Sequence, residues 1–227
     1  RIDETGTGNL WIQSNGGNIQ LNKGTSENML VANTDGSVEL YHNNERKIYT
    51  HATGIQVEDA TSTGASIVMS TSSGTSGSLY ATGDNTLGLL DGQNHYMLKG
   101  VKDGAVELYY DNVKTFSTSS NGATILAGEG GSAYLYMSSD EGDDSGDKWQ
   151  LKVDNGDQAF MIKNYASGSW ETSIECNGNG NVELYNDNSL RAYTTSNGLK
   201  VETTSTDNAR VAFKTGNHDY SQIGYFG

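Results

Sequence analysis

Three stretches of this chain repeat one another: DGSVELYHNNERKIYTHATG at Asp35–Gly54, DGAVELYYDNVKTFSTSSNG at Asp103–Gly122 and NGNVELYNDNSLRAYTTSNG at Asn179–Gly198. Eight positions are identical in all three copies. They are an opening glycine, the sequence Val-Glu-Leu-Tyr, an asparagine four residues after the leucine, a threonine and a closing glycine. Repetition of this fidelity indicates an array of similar units, so the unit is interpreted first.

Each copy predicts a β-hairpin. Val-Glu-Leu-Tyr alternates apolar with polar or amphipathic side chains, which is typical of a half-buried strand. A polar pair follows, and such residues mark tight turns because they tolerate left-handed backbone. A second alternating run, such as Lys114–Thr118, completes the hairpin. The turn pairs are Asn43-Asn44, Asp111-Asn112 and Asp187-Asn188.

The apolar pattern predicts the register of the hairpin, because a slip of one residue moves every side chain to the other face. A three-residue loop over 111–113 places Leu108 opposite Phe116. The same rule pairs Leu40 with Ile48 in the first copy. A two-residue turn suits the polar pair but separates Leu108 from Phe116. We therefore expect the three-residue loop, with the glutamate and tyrosine of each copy on the face opposite the apolar side chains.

The spacing of the copies predicts modules over 1–59, 60–127 and 128–203, with a fourth module beginning within 204–227. The opening glycine of each hairpin lies 29 residues before an alanine that opens the next strand run (Ala65, Ala133 and Ala209). The distance from that alanine to the next hairpin glycine is 39 residues in the second module and 47 in the third. We place the insertion of eight near 164–178. Loops that grow on a repeated scaffold commonly carry binding.

The composition predicts many short strands joined by polar turns. Only 34% of the residues are hydrophobic, 29 are glycine and none is proline, although average usage would give roughly ten prolines. Low apolar content also occurs in disordered chains, but the 13 tyrosines and the regular alternation argue against disorder. No segment shows heptads or a sustained helical period. The predicted fold class is all-β, with antiparallel hairpin modules.

A single chain of this kind has little apolar material for a core. A two-stranded hairpin is marginal by itself, and repeat units must stack to bury their apolar faces. Three chains wrapped around one axis would let the apolar faces meet between subunits. A single-chain solenoid is the physical alternative. The arrangement of three wrapped chains predicts an elongated, intertwined homotrimer.

Charge and composition exclude several classes of protein. The net charge is −14 and the pI about 4.5, which disfavours nucleic acid as a partner. The lone Cys176 gives no internal disulfide. No apolar run reaches the length of about 18 residues that membrane insertion needs. The sequence shows no signal peptide and no initiating methionine. Because it begins and ends inside repeat-like sequence, we expect it to be a piece of a longer protein.

The densest charge cluster, at 140–147, offers the candidate metal ligands Asp140, Asp143 and Asp147. Hard cations such as Ca²⁺ prefer several carboxylate oxygens. The spacing does not match the EF-hand pattern, however, and charge blocks of this kind are usually solvated turns. A solvated turn is the favoured interpretation, and we expect no cofactor.

The repeated glutamates Glu39, Glu107 and Glu183 raise the question of a glycosidase pair, which requires two carboxyl groups across a sugar. Because they recur with the strand pattern, a cross-strand or intersubunit partner is the better interpretation. The four histidines are scattered and form no HExxH pair. The sequence therefore predicts no catalytic residues and no enzyme activity.

Aromatic residues in the expected insertion are better candidates for ligand binding than the acidic residues and histidines. Tyr165 and Trp170 flank Ala166-Ser167-Gly168-Ser169. An aromatic ring on a polar loop can stack on a sugar ring. The alternative is that Trp170 covers an adjacent strand edge, since tryptophan is usually largely buried.

The repeat resembles one in a known group of proteins. The pattern G-x-VELYYDN-x-K-x-F/L-x-T-x-x-x-G looks like that of tail-fibre and other virion structural proteins of tailed bacteriophages, especially those of marine cyanobacteria. The segment over 3–13, DETGTGNLWIQ, is similar to one that often precedes such hairpins. Ser167–Thr172, SGSWET, also looks like a recurrent piece of these proteins.

The resemblance covers essentially the whole chain and implies a virion appendage. Such appendages are usually homotrimeric β-structured shafts that contact other virion proteins and position a host-binding tip. The resemblance carries no catalytic residues and identifies a building block, not an activity. A structural segment of a phage fibre is therefore the leading hypothesis. The alternatives are a glycan-binding module, a tailspike-type depolymerase that cleaves a host polysaccharide, and a bacterial surface adhesin.

Overall fold

A computed structural model describes residues 6–60, 64–203, 209–215 and 218–224. The predicted all-β class is confirmed, because 58% of the residues lie in strands and the sheets are antiparallel. Across the described ranges, no helix is long and apolar enough to cross a membrane. The segment over 3–13 and the expected fourth module lie partly outside the described residues.

Most strands belong to three sheets, in which neighbours in sequence are neighbours in space. The first sheet contains β1 (Ile19–Lys23), β2 (Glu27–Ala32), β3 (Val38–His42), β4 (Glu45–His51) and β5 (Gly54–Val57). The second contains β6 (Gly64–Thr71), β7 (Gly74–Thr82), β8 (Thr86–Asp91), β9 (Tyr96–Val101), β10 (Val106–Tyr110), β11 (Val113–Ser119) and β12 (Gly122–Ile125). The third contains β13 (Ala133–Ser138), β14 (Lys148–Val153), β15 (Ala159–Asn164), β16 (Glu171–Asn177), β17 (Val182–Asn186), β18 (Ser189–Thr195) and β19 (Gly198–Val201). A further pair is formed by β20 (Arg210–Thr215) and β21 (His218–Gly224).

The chain divides into two compact units, Arg1–Asn112 and Val113–Gly227. The first unit contains the first sheet and strands β6–β10. The second contains β11, β12 and the whole third sheet. The division falls inside the second expected module, so the module boundaries at 59, 127 and 203 stay predictions.

The first and third copies of the repeat confirm the expected pairing but not the expected turn. Leu40 pairs with Ile48, and Leu184 pairs with Ala192. The loop has two residues, not three: Asn43 and Asn44 both have positive φ, as a type I′ hairpin turn requires. A bulge beside the leucine absorbs the odd residue and restores the apolar pairing.

The shared asparagine and threonine have a structural explanation. Asn44 and Asn188 occupy the second turn position, where their side-chain oxygens accept hydrogen bonds from the backbone N–H groups of Asn28 (3.1 Å) and Thr172 (2.9 Å). Both N–H groups belong to the strand that precedes the hairpin in its sheet. Each asparagine therefore joins its turn to the neighbouring strand.

The shared threonine fixes the other end of the hairpin. The hydroxyl groups of Thr50 and Thr194 accept hydrogen bonds from the backbone N–H groups of Val38 and Val182, each at 2.9 Å. In both copies the valine begins the first strand of the hairpin and the threonine lies on the second. The bond pairs a backbone donor that the strand ladder does not use.

The two shared glycines occupy different kinds of turn. The closing glycine has a φ of 155° at Gly54 and 139° at Gly198, a region that side chains disfavour. The opening glycine closes a tight turn, and at Gly36 an added Cβ would lie 3.1 Å from the Cβ of Asn33. All eight shared positions thus belong to turns, to interstrand hydrogen bonds or to the strand pattern itself.

A continuous row of apolar side chains crosses each sheet on one face. The row contributes one residue from each strand of the first and third sheets and from β6–β10 of the second, because the paired residues are themselves apolar. In the first sheet it is Leu21, Leu30, Leu40, Ile48 and Val57. In the second it is Ile67, Leu79, Leu89, Leu98 and Leu108. In the third it is Leu135, Leu151, Ile162, Ile174, Leu184, Ala192 and Val201. These are called the apolar rows below.

In the single chain the apolar row is exposed at all five positions of the second sheet and at three of the five in the first. In the third sheet Leu135 and Leu184 are exposed, and the other row positions are half-buried. Leu21 is 55% exposed, Ile67 50% and Leu184 44%. By contrast, the residues that are buried lie on the opposite face, called the mixed face because it carries both polar and apolar groups. They include Val31, Leu90 and Met161 together with the polar Glu39 and Gln150. The sheets therefore bury their mixed faces more completely than their apolar ones.

The insertion of eight residues in the third module is distributed along the sheet. Comparing row positions, Ile67 to Leu79 spans 12 residues and Leu135 to Leu151 spans 16. The interval from Leu151 to Ile162 is one residue longer than that from Leu79 to Leu89. The interval from Ile162 to Ile174 is three residues longer than that from Leu89 to Leu98. The last interval, which ends at Leu184 in one sheet and at Leu108 in the other, has the same length in both. Only three of the eight residues therefore lie in the expected region near 164–178. Four lie in the segment that contains the acidic turn.

Replacing Thr194 by valine should destabilise the third sheet, because the Val182 N–H would lose its acceptor. We expect a loss of about 1 kcal/mol in the free energy of unfolding, the usual net value of one such bond. Urea unfolding monitored by circular dichroism measures the change. Thr124→Val is the matched control, since Thr124 is an exposed strand residue of the same unit. Equal effects of the two substitutions would contradict the assigned role.

Candidate functional site

The shared glutamate and tyrosine form a hydrogen-bonded pair on the mixed face. In the first copy the Tyr41 hydroxyl donates to the Glu39 carboxylate, which also accepts from Ser37 Oγ at 2.8 Å and from Arg46 Nη1 at 2.9 Å. Arg46 in turn bonds Glu58 at 2.7 Å. Glu39 is only 8% exposed, and its charge is compensated by these donors.

The other two copies repeat the pair. Tyr109 donates to Glu107 at 2.6 Å, and the Tyr185 hydroxyl donates to Glu183. Asn181 takes the position of Ser37 and donates to Glu183 at 2.7 Å. The sequence analysis predicted a cross-strand or intersubunit partner for these glutamates. In all three copies the tyrosine two residues along the same strand donates to the glutamate instead, and in the first copy Arg46 of the adjacent strand also does so.

The protonation of these groups fits a structural role. The hydrogen bonds from Tyr41, Ser37 and Arg46 lower the pKa of Glu39 to about 2. Burial and the bond to Glu107 raise the pKa of Tyr109 to about 12. A general acid at neutral pH needs a raised carboxyl pKa, which is the reverse of what Glu39 has.

One carboxyl group has a raised pKa. Burial, with the nearby charge of Glu183, raises the pKa of Glu175. The two residues are register partners on β16 and β17. Glu183 is committed to Tyr185 and Asn181, so the pair consists of one bonded carboxylate beside one partly buried one.

The acidic cluster forms a turn between β13 and β14. The carboxylate oxygens of Asp143, Asp144 and Asp147 lie within 4.8 Å of one another, whereas the predicted candidate Asp140 is not part of this group. Asp147 already accepts hydrogen bonds from Ser139 Oγ and from the Asp144 backbone N–H, each at 3.2 Å. These bonds close the turn.

The remaining candidate residues are dispersed. Cys176 is a half-buried free thiol on β16. His51 contacts the Thr53 hydroxyl at 3.3 Å, and His95 contacts Asp91 at 3.6 Å. Within the described ranges, no histidine or cysteine joins a group of potential metal ligands.

Tyr165 and Trp170 come together with two tyrosines that the sequence analysis did not select. The ring centroids of Tyr165 and Trp170 are 5.1 Å apart, and Trp170 lies 5.8 Å from Tyr136. Tyr136 stacks on Tyr134 at 5.5 Å, with an angle of 13° between the ring planes. These four residues are called the aromatic cluster below. The available signal was the Tyr-x-Tyr spacing on β13, which places both rings on one face of a strand.

A groove lies on the mixed face of the second sheet. It has a volume of about 460 Å³ and is lined by side chains that include Tyr80, Tyr96, Ser78 and Leu90. Tyr96 also lies against Tyr109, with ring centroids 6.1 Å apart. The groove is open to solvent and mixes polar with apolar walls.

Comparison of the chain with protein-family models gave no match, and the search of curated proteins gave no significant relative.

The stability of the first unit should fall in acid because of Glu39. Its pKa is lowered in the folded state, so its contribution is present above the ordinary value of 4.5 and is lost as the pH falls towards 2. We expect a loss of about 1–3 kcal/mol over this range. Urea unfolding at a series of pH values measures it. The slope should shrink in Glu39→Gln and, because the largest cause is removed, in Tyr41→Phe. An unchanged slope in Glu39→Gln would refute the assignment.

Proposed function

We propose that this chain is a structural segment of a virion appendage, a tail-fibre shaft or near-tip body of a tailed phage, and that it assembles as a homotrimer through its apolar rows. It supports host attachment by holding a receptor-binding tip at a distance from the particle, and it performs no chemistry of its own. The observation that carries the proposal is the apolar row on each of the three large sheets, which is exposed most fully in the first and second.

The amount of exposed surface supports an assembly. The chain has 16626 Å² of accessible surface, whereas a compact folded monomer of 24.3 kDa exposes roughly 10,000 Å². Among the described residues, no large side chain is fully buried. A protein with so little interior gains stability when a partner covers its apolar surface.

The distribution of that surface supports contact along the sheets. Each row is continuous from strand to strand, and contiguous apolar surface usually marks a contact site. Two shallow apolar grooves follow the rows, one of about 210 Å³ beside Ile67 and Leu79 and one of about 290 Å³ beside Leu135 and Leu151. Side chains from sister chains would fill them.

The resemblance of the repeat to phage tail-fibre proteins is the reason for proposing three chains in the assembly and a location in the virion. The chemistry of the mixed face agrees with a structural part, because its shared glutamates are held as charged hydrogen-bond acceptors. In the assembly the apolar rows would lie towards the common axis, and the charged mixed faces would lie towards solvent. The net charge of −14 per chain would keep such fibres apart from one another.

Light scattering coupled to size-exclusion chromatography should give three times the chain mass. Leu21→Asp should shift the protein towards smaller species, because it places a charge in the apolar row of the first sheet. Gln20→Asp is the matched control: Gln20 is the preceding residue of β1, is also exposed and lies on the other face. We expect it to leave the trimer intact. A monomer with cooperative unfolding in the wild-type chain would overturn the proposal, and so would equal effects of the two substitutions.

A further inference from the structure

We propose that Glu175 and Glu183 form a proton-binding pair, which stabilises the third sheet in mild acid and weakens it at neutral pH. The two glutamates lie on the neighbouring strands β16 and β17, on the mixed face of that sheet. The proposal goes beyond the structural role above and does not depend on it, because the pair lies on the face opposite the apolar row.

The register of the sheet places the two carboxylates opposite each other. Glu175 pairs with Glu183 beside the row pair of Ile174 and Leu184. Directly opposite residues of antiparallel strands have Cβ atoms about 4.5–5.5 Å apart, and like charges at such positions destabilise a sheet. Both glutamates are half-buried, so water screens their repulsion less than it would on an open surface.

The other two copies of the repeat do not contain this pairing. The residue opposite the shared glutamate is Val31 in the first copy and Lys99 in the second. A valine adds no charge at this position, and a lysine adds the opposite charge. The carboxylate of the third copy is therefore not a requirement of the hairpin, and it costs stability whenever both members of the pair are charged.

Hydrogen bonds keep Glu183 as the charged member of the pair. Its carboxylate accepts hydrogen bonds from the Tyr185 hydroxyl and from Asn181 Nδ2, the latter at 2.7 Å. Asn181 is itself held by Asn177, whose Nδ2 donates to the Asn181 side-chain oxygen at 3.1 Å. Hydrogen bonds to the charged form of a carboxyl group favour that form. The proton of the pair therefore resides on Glu175.

Nearby acidic groups add to the repulsion. Burial, and after it the charge of Glu183, raises the pKa of Glu175, and Asp157 and Asp154 act in the same direction. The two aspartates belong to the connection between β14 and β15. Lys152 lies just before this connection, and its charge pairs with Asp154. Charging Glu175 therefore adds a fourth negative group to this part of the mixed face.

The groups on the two adjacent strands compensate little of this charge. Lys163 of β15 lowers the pKa of Glu175, but its influence is smaller than that of burial or of the opposing glutamate. The Lys163 ammonium group donates to Thr172 Oγ1 at 3.1 Å. The residue of β15 directly opposite Glu175 is the uncharged Met161. On β17, Tyr185 keeps its proton, because burial raises its pKa.

The direction of the pH dependence follows from the raised pKa of Glu175. Below the ordinary value of 4.5, this carboxyl group is protonated in the folded and the unfolded chain alike, and the fold carries no repulsion. Above its folded pKa it is charged in both states, and the fold carries the full repulsion. The third sheet therefore gains stability as the pH falls from neutral towards 4.5. Glu39 of the first sheet loses its contribution only below that range.

Urea unfolding of the full chain at pH 7 and pH 5 tests the pair. In a Trp11→Phe background the fluorescence comes from Trp149 and Trp170, which both belong to the second unit. We expect the urea midpoint to be higher at pH 5 by about 0.2–0.5 M, from the usual cost of a like-charge pair and the usual urea slope. Glu175→Gln should have a higher midpoint than the parent at pH 7 and should show no further rise at pH 5.

Glu171→Gln is the matched control, because Glu171 lies on the same strand and pairs with the uncharged Asn164. It removes the same charge and should keep the rise at pH 5. Any one of three results would overturn the proposal: no rise in the parent, a rise that persists in Glu175→Gln, or a rise that is lost in Glu171→Gln.

Carbon-detected NMR of the glutamate carboxyl groups gives a second readout that does not depend on unfolding. The Glu175 signal, identified by its loss in Glu175→Gln, should titrate with a midpoint above 4.5. A midpoint at or below 4.5 would contradict the proposal. Light scattering at each pH follows the assembly separately. A monomer that still shows this titration contradicts only the proposed function, and a trimer without it contradicts only the proton-binding pair.

Discussion

The pairing of apolar residues across every described strand junction is the constraint on which the rest of this structure depends. Because side chains alternate along a strand, the leucine of Val-Glu-Leu-Tyr can share a face with Ile48 or with Leu30 only in one register. A slip by one residue would set Leu40 opposite Lys47 or Tyr49 in place of Ile48. Yet the row gains little burial in the single chain, since Leu40 remains 43% exposed. Burial within the chain therefore supplies little of the free energy that normally holds a register.

Hydrogen bonds and turn chemistry hold the register within the chain. The side chains of Asn188 and Thr194 each bond a backbone N–H at 2.9 Å and so fix both ends of the third hairpin. The Tyr185 hydroxyl donates a hydrogen bond to Glu183 and so adds a contact along the strand. Each bond contributes about 1 kcal/mol, so a series of them can order a sheet whose apolar face is open to water.

Features that follow from the alternation of side chains could be predicted from the sequence. Features in which one irregularity offsets another could not. Alternation gave the strands, the two faces and the pairing of Leu40 with Ile48. It did not give the two-residue turn, because a bulge beside Leu40 restores a pairing that the short turn alone would break. Counting residues gave an insertion of eight but placed it near 164–178, since spacing reports a total and not its distribution. Tyr165 and Trp170 were selected for their loop, whereas Tyr134 and Tyr136 read as ordinary strand residues.

The unequal connections lengthen the third sheet without interrupting its apolar row. The third sheet adds residues between its row positions, and the row itself continues unbroken from Leu135 to Val201. Two of the lengthened segments lie near each other: the acidic turn joins β13 to β14, and Trp170, between β15 and β16, lies 5.8 Å from Tyr136 of β13. Changes there alter what the mixed face presents without moving an apolar pair. If the rows hold sister chains together, then the connections and the mixed face are free to differ from module to module, and the aromatic cluster lies where such differences accumulate.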